Sequence, residues 1–310
     1  MYEKFYGFTE KPFALTPDPA FLFLGGRHAV GLSMLQYGLV NRAGIIVLTG
    51  AIGTGKTTLV RRMLEETDDS ITVGLISNTH EAFGSLMQWI AVAFSLAAKS
   101  SKASQYDKFA RFLIEQYAKG KRCVLVVDEA QNLSEKALEE LRLLTNINAD
   151  KDLLLQIVLV GQPELRDRLR SRALVQFVQR IGADFHLSAL SAEETGGYID
   201  HRLTTAGGKA GLFEPAAVRF IHHQCAGVPR LINSLCDTAL VYGYASGESC
   251  ISVDLVFDLV RERISNGLFA AVGEAFEAPD AEKALEAARD NLARARSELG
   301  VAALATAAHA

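Results

Sequence analysis

The chain has 310 residues, with 32 lysines and arginines against 36 aspartates and glutamates, a formal net charge of −4. Hydrophobic residues make up 49% and charged residues 22%, the balance of a globular protein able to bury one large core or two smaller ones. The acidic balance argues against a protein whose main work is coating nucleic acid. The longest apolar runs, such as 153–160, fall far short of the ~20 residues that span a bilayer.

The N-terminal stretch MYEKFYGFTEKPFALTPDP is aromatic, charged and punctuated by proline, without the apolar core of a signal peptide. Together with the absence of any C-x-x-C spacing among Cys123, Cys225, Cys236 and Cys250, this gives an expectation of a cytoplasmic protein with reduced, buried thiols. No direct membrane insertion is expected, so a role at the inner membrane would come through a partner.

Four apolar runs follow in order, at 45–49, 71–76, 123–127 and 154–160, with a weaker alternating run at 183–187. Near-continuous apolar strands are buried on both faces, as in a parallel sheet covered by helices. The intervening segments read as helices. One begins at Thr57, one carries Leu86, Ile90 and Phe94 at a spacing of four, and one is capped by Ser134. The pattern predicts an α/β fold with a doubly wound parallel five-stranded sheet.

After about residue 190 the strands stop. Ser191 and Glu194 form a capping-box pattern, and helical patterns follow near 214–224, 228–245 and 252–264, a small all-helical lid domain. The expected organisation is an N-terminal segment with a first helix at 1–43, an α/β domain at 44–190, a helical domain at 191–266 and an Ala-rich helical or flexible tail at 267–310. In that tail Leu285, Leu292 and Leu299 recur every seven residues, each followed three positions on by Ala288, Ala295 and Ala302. A short coiled-coil seam and a solvated or frayed helix are both open readings.

Chemistry concentrates at Gly50–Thr57, which reads G-x-x-x-x-G-K-T between a predicted strand and a predicted helix, the context of a phosphate-binding loop. The backbone of Gly50, Ala51, Ile52, Gly53, Thr54, Gly55, Lys56, Thr57 and Thr58 would cradle phosphates at the positive end of the helix. Lys56 would reach the β- and γ-phosphates and the Thr57 hydroxyl would ligate Mg2+. Asp128 and Glu129 end the run at 123–127; Asp128 is placed to complete the Mg2+ shell and Glu129 to act as general base on an attacking water. The expected cofactors are therefore ATP and Mg2+. The chain has neither the N-K-x-D motif of GTPases nor the LSGGQ signature of transporter ATPases.

Three further residues carry alternatives. Gln162 is either a γ-phosphate or water contact or a loop residue before Pro163. Arg180 is either a charge supplied to a neighbouring subunit's site or one arm of a surface salt bridge. Arg230 follows Pro229 near a helix start, a poor place for a cation unless an anion such as phosphate pairs with it. Arg166, Arg168, Arg170 and Arg172 form a basic run that reads as a solvated face or as a groove for an acidic partner or nucleic acid. No metal spacing joins His28, His80, His186, His201, His222 and His223, and none is assigned a role.

In this order the motifs resemble those of an AAA+ ATPase, and more narrowly the general secretion pathway protein A (ExeA/GspA) family. LTGAIGTGKTTLVR, VLVVDEAQNLS, LLQIVLVGQPEL, VQRIGADFHLSALSAEETGGYIDHRL and AGVPRLINSLCDTAL carry the resemblance, which covers about residues 1–265. It implies a Walker A at Gly50–Thr57, a Walker B at Asp128–Glu129, a sensor-1 residue at Gln162, an arginine finger at Arg180 and a sensor-2 arginine at Arg230. It also implies a nucleotide-dependent homo-oligomer and an envelope or secretion-system partner. Family members commonly continue into a transmembrane segment and a peptidoglycan-binding domain. The resemblance here is rather to the shorter relatives found with exopolysaccharide and PEP-CTERM exosortase loci or with pilus assembly. A DNA-binding ATPase of the transposition or replication-loading type, which shares these motifs, is the alternative.

Overall fold

The apolar runs at 45–49, 123–127 and 154–160 become inner strands because both of their faces are covered, whereas the run at 71–76 forms an edge strand. In the computed structural model, which describes residues 1–77, 79, 84–96, 102–149, 152–265 and 281–307, contacts divide the chain into two units. One comprises Arg27–Ile52 and Lys56–Ser188; the other comprises Met1–Gly26, Gly53–Gly55 and Ala189–Ala310. The segment expected as 1–43 is thus shared between the units, dividing after Gly26.

The chain opens with the short helix α1 (Glu3–Tyr6), followed by α2 (Gly26–Val40), β1 (Ile45–Gly50) and α3 (Lys56–Glu65). Next come β2 (Ile71–Ile76), α4 (Leu86–Ala93), α5 (Lys102–Ala118), β3 (Arg122–Val127) and α6 (Glu135–Leu144). A hairpin of β4 (Asn148–Ala149) and β5 (Asp152–Leu153) leads into β6 (Leu155–Gly161), then α7 (Pro163–Leu169), α8 (Val175–Val178) and β7 (Ile181–Leu187).

The five long strands form one parallel sheet in the order β2-β3-β6-β1-β7. Every residue of β1 and β6 is buried, as the unbroken apolar runs require. Two polar residues, Thr49 of β1 and Gln156 of β6, interrupt these strands. Gln156 of β6 is buried, and its amide donates to Gly38 O at 3.2 Å and Ala43 O at 3.1 Å, satisfying carbonyls at the end of α2. Gly38 is needed there because a Cβ would come within 2.6 Å of Ile46.

Ser134 caps α6 by accepting from Ala137 N, as its position in the sequence suggests. β7 starts two residues before the alternating run at 183–187. Ile45 pairs with Ile181 and Ile46 with Ala183, so Gly182 is an extra residue in the ladder, and this bulge breaks the period-two pattern.

The second unit holds α9 (Ala192–Thr205), α10 (Pro215–Cys225), α11 (Pro229–Ser246), α12 (Val253–Ser265) and α13 (Ala281–Ala307). The Ser191–Glu194 capping box is formed in both directions. Part of the tail expected at 267–310, namely 267–280 and 308–310, lies outside the described residues, as does His80. The Leu/Ala repeat of α13 faces its own unit. Ala284, Ala288 and Ala295 are buried, Leu285 and Leu292 pack against the same core, and the helix lies on α10 and α12. Small side chains let the helices approach closely, so the stripe works as an intramolecular seam. Glu298 of α13 pairs with Arg219 at 3.0 Å and His223 at 3.2 Å.

Cys123, Cys225 and Cys236 are buried, and burial pushes the Cys123 and Cys225 thiols up to about 12, leaving them unreactive. Cys250 departs from the expectation of buried thiols: it is exposed, in the turn before Ile251.

The N-terminal segment is anchored by one arginine. Arg202 of α9, only 6% exposed, donates to Pro12 O at 2.6 Å and Ala14 O at 3.1 Å, and its guanidinium lies 4.6 Å from the centre of the Phe21 ring. Removing it leaves two carbonyls without their charged donor. Arg202→Ala is expected to cost about 2–3 kcal/mol in chemical denaturation and to open residues 10–22 to proteolysis.

Candidate active site

The chemistry collects at the C-terminal ends of the parallel strands, where an open α/β sheet places its ligands. β1 ends at Gly50 and α3 begins at Lys56, so the predicted phosphate loop spans a strand end and a helix start. Gly53 and Gly55 take φ of +79° and +96°, left-handed values that a side chain resists. Ala51 and Ile52 are exposed, whereas Thr54 is fully buried. Lys56, Thr57 and Thr58 are the first three residues of α3, and backbone N–H groups in a first helical turn lack intrahelical acceptors.

Lys56 is buried and turns its ammonium across its own loop, donating to Gly50 O and Ala51 O, each at 2.8 Å. Burial lowers its pKa, while Glu129, Asp128 and Glu164 act in the opposite direction. These three carboxylates favour the charged ammonium, the form that binds phosphate.

Asp128 follows β3 directly, and its N–H donates to Ile76 O at 2.8 Å, extending the β2–β3 pairing by one residue. The Thr57 hydroxyl donates to Asp128 Oδ2 at 2.8 Å, and Asp128 Oδ1 accepts Glu129 N–H at 2.9 Å. A hydroxyl and a carboxylate in contact are hard oxygen donors, a set that suits Mg2+ shared with phosphate. Among the described residues no group of three or more His, Cys, Asp and Glu could hold a metal ion.

Glu129 is held in a left-handed conformation, with φ +51°. Its carbonyl accepts the hydroxyl of the buried Thr79 at 2.9 Å. Its carboxylate Oε2 accepts Gln131 Nε2 at 2.6 Å and Gln162 Nε2 at 3.2 Å. Gln131 Oε1 in turn accepts Gln162 N–H at 3.0 Å, closing a three-residue network. Gln162 thus lies beside the carboxylate pair as well as before Pro163. The sequence reading missed Gln131; the signal available was its place two residues after Glu129 in a short 3-10 turn (Ala130–Asn132).

Arg180 is exposed at the start of β7 and donates to Asn146 Oδ1 at 2.7 Å; among the described residues it makes no salt bridge. In the other unit, Arg230 is exposed at the second residue of α11, and its N–H donates to Gly53 O at 3.2 Å. The basic run does not form one stripe. Arg168 donates to Leu133 O, Arg170 pairs with Asp167 at 3.4 Å, and α7 ends before Arg170.

A model of the AAA domain matches residues 40–169. Over 249 residues, 80% of the chain, the sequence is 40% identical to general secretion pathway protein A of Aeromonas hydrophila, of which it covers 46%. The chain therefore spans about half the length of that relative. Among solved structures it is similar to the Aeropyrum pernix ORC2 protein in its ADPNP–ADP complexes, with a TM-score of 0.63, 18% identity and coverage of 88% of this chain and 76% of that one. It is similar also to Cdc6p from Pyrobaculum aerophilum, with a TM-score of 0.63, 16% identity and coverage of 94% and 85%. At these identities the likeness is one of fold.

The glutamine network predicts a division between binding and turnover. Gln131→Leu, close in size but unable to bond Glu129, is expected to slow ATP turnover about tenfold. The ATP dissociation constant should stay within about twofold, as checked by steady-state kinetics and calorimetry.

Proposed function

Because this chain belongs to the AAA+ family of general secretion pathway protein A, we propose that it is a Mg2+-dependent ATPase whose hydrolysis drives or regulates an envelope export, secretion or exopolysaccharide system. The observation that carries the catalytic half is the contact of Thr57 with Asp128, one residue from a Glu129 carboxylate oriented by Gln131 and Gln162.

Lys56 and the amides of Gly50–Thr58 bind the phosphates, and Thr57 and Asp128 would hold the metal. When bound, Mg2+ neutralises charge on the phosphate oxygens. Glu129 takes the proton of a water attacking the γ-phosphorus in line, and Gln162 orients that water. Arg180, exposed and free of a carboxylate partner among the described residues, supplies positive charge to the site of a second copy; Arg230 pairs with phosphate. The protein is then a nucleotide-dependent homo-oligomer.

Among the described residues no helix is long and apolar enough to cross a membrane. On this reading the chain works on the cytoplasmic side and is brought to the inner membrane by a protein partner. A DNA-binding role draws on the Arg166–Arg172 run, two of whose members are engaged within the chain. DNA affinity that falls steeply with salt in the presence of ATP would replace the export role by the DNA-binding one.

Lys56→Ala is expected to abolish ATP binding, and affinity equal to wild type would overturn the phosphate-loop assignment. Glu129→Gln should bind ATP and retain it unhydrolysed; a normal turnover rate would remove Glu129 from the base role. Arg180→Ala should be inactive alone yet recover activity when mixed with Glu129→Gln, since one variant keeps the base and the other the arginine. No recovery at any ratio would contradict action across subunits.

A further inference from the structure

The histidines carry no motif, yet one of them touches the strand that delivers the phosphate loop. β1 and β7 are neighbours, and their register sets Thr49 opposite His186 and Gly50 opposite Leu187. Thr49 is 3% exposed, and its Oγ1 lies 3.0 Å from His186 Nδ1. The next residue, Gly50, supplies one of the two carbonyls that receive the Lys56 ammonium. The histidine backbone is fixed in turn: Arg27 of α2 donates to His186 O at 3.2 Å and lies 4.9 Å over the ring of Phe185.

We infer that His186 is a positioning residue for the phosphate loop: its neutral ring accepts the Thr49 hydroxyl, anchors the residue from which the loop departs, and reverses that hydrogen bond when protonated. The inference rests on the ATPase reading and adds to it a residue outside the recognised motifs.

The chemistry of the neighbours sets the direction. Burial lowers the pKa of the ring first, and Arg166 of α7, Arg27 of α2 and Lys56 of α3 face it and push the same way. Asp184, two residues earlier on β7, is exposed. We assign the neutral imidazole the tautomer with its proton on Nε2, in which Nδ1 is the acceptor and Thr49 the donor. A proton on Nδ1 makes it a donor. Thr49 Oγ1 then accepts from the ring while its own buried proton loses this acceptor, and a further positive charge stands among Lys56, Arg27 and Arg166. Loop geometry and ATP turnover are thereby tied to one ionisation below the ordinary histidine range, apart from any carboxylate ionisation at lower pH.

The test is the pH profile of ATP hydrolysis by the full chain, with ATP binding measured in parallel and Lys56→Ala as the binding control. Wild-type kcat/KM is expected to fall about threefold between pH 7.5 and 5.5. His186→Asn, whose Oδ1 can replace Nδ1 as acceptor, should keep the pH 7.5 value within about twofold and lose that fall. Thr49→Val and His186→Phe should each lose about tenfold at pH 7.5, with the double variant losing no more than either single one. Thr49→Ser, which keeps the hydroxyl, should show no such loss. The same acid limb in His186→Asn, or losses that multiply in the double variant, would overturn the inference while leaving the ATPase reading intact. ATP binding indifferent to Lys56→Ala would overturn both.

Discussion

The hydrogen bond from the Thr57 hydroxyl to Asp128 Oδ2 joins two strand ends that lie two positions apart in the sheet. β6 separates β1 from β3, so the contact needs all three strands in register and the loop after β1 to turn back across the sheet edge. That constraint explains the all-buried β1 and β6, whose apolar residues hold the register, and the glycines at positive φ, which turn the loop. Hydrophobic burial supplies the stability and the backbone ladder the precision. The polar groups at the strand ends inherit a geometry they do not have to build.

Around that contact the site is a set of fixed orientations. Glu129 is fixed by a left-handed backbone, a hydroxyl on its carbonyl and two amides on its carboxylate. Each partner comes from a different strand end: Thr79 beyond β2, Gln131 beyond β3 and Gln162 beyond β6. Pre-paid orientation of this kind costs no reorganisation when charge develops on a substrate. His186 extends the scheme to the far edge of the sheet, where β7 meets β1.

Much of this was legible in the sequence. The phosphate loop and the Asp128–Glu129 pair are local patterns whose physics needs few neighbours, and the buried strands announce themselves as unbroken apolar runs. The missing parts are those set by long-range packing. Gln131 and His186 acquire partners only when β3, β6, β1 and β7 are side by side, and strand order is not written in any local period. The bulge at Gly182 hid the true start of β7. The Leu/Ala repeat in α13 carried a seven-residue period without saying what it would face, and it faces α10 and α12.

Thr57 and Asp128, joined by a hydrogen bond, are the proposed metal-holding half of an ATP site. Calorimetric titration of ATP with and without Mg2+, on wild type and on Asp128→Asn, tests this proposal most directly. Mg2+ is expected to tighten ATP binding about tenfold or more in wild type and by less than about twofold in Asp128→Asn, with metal-free affinity alike in the two. An equal Mg2+ effect in both proteins would contradict it.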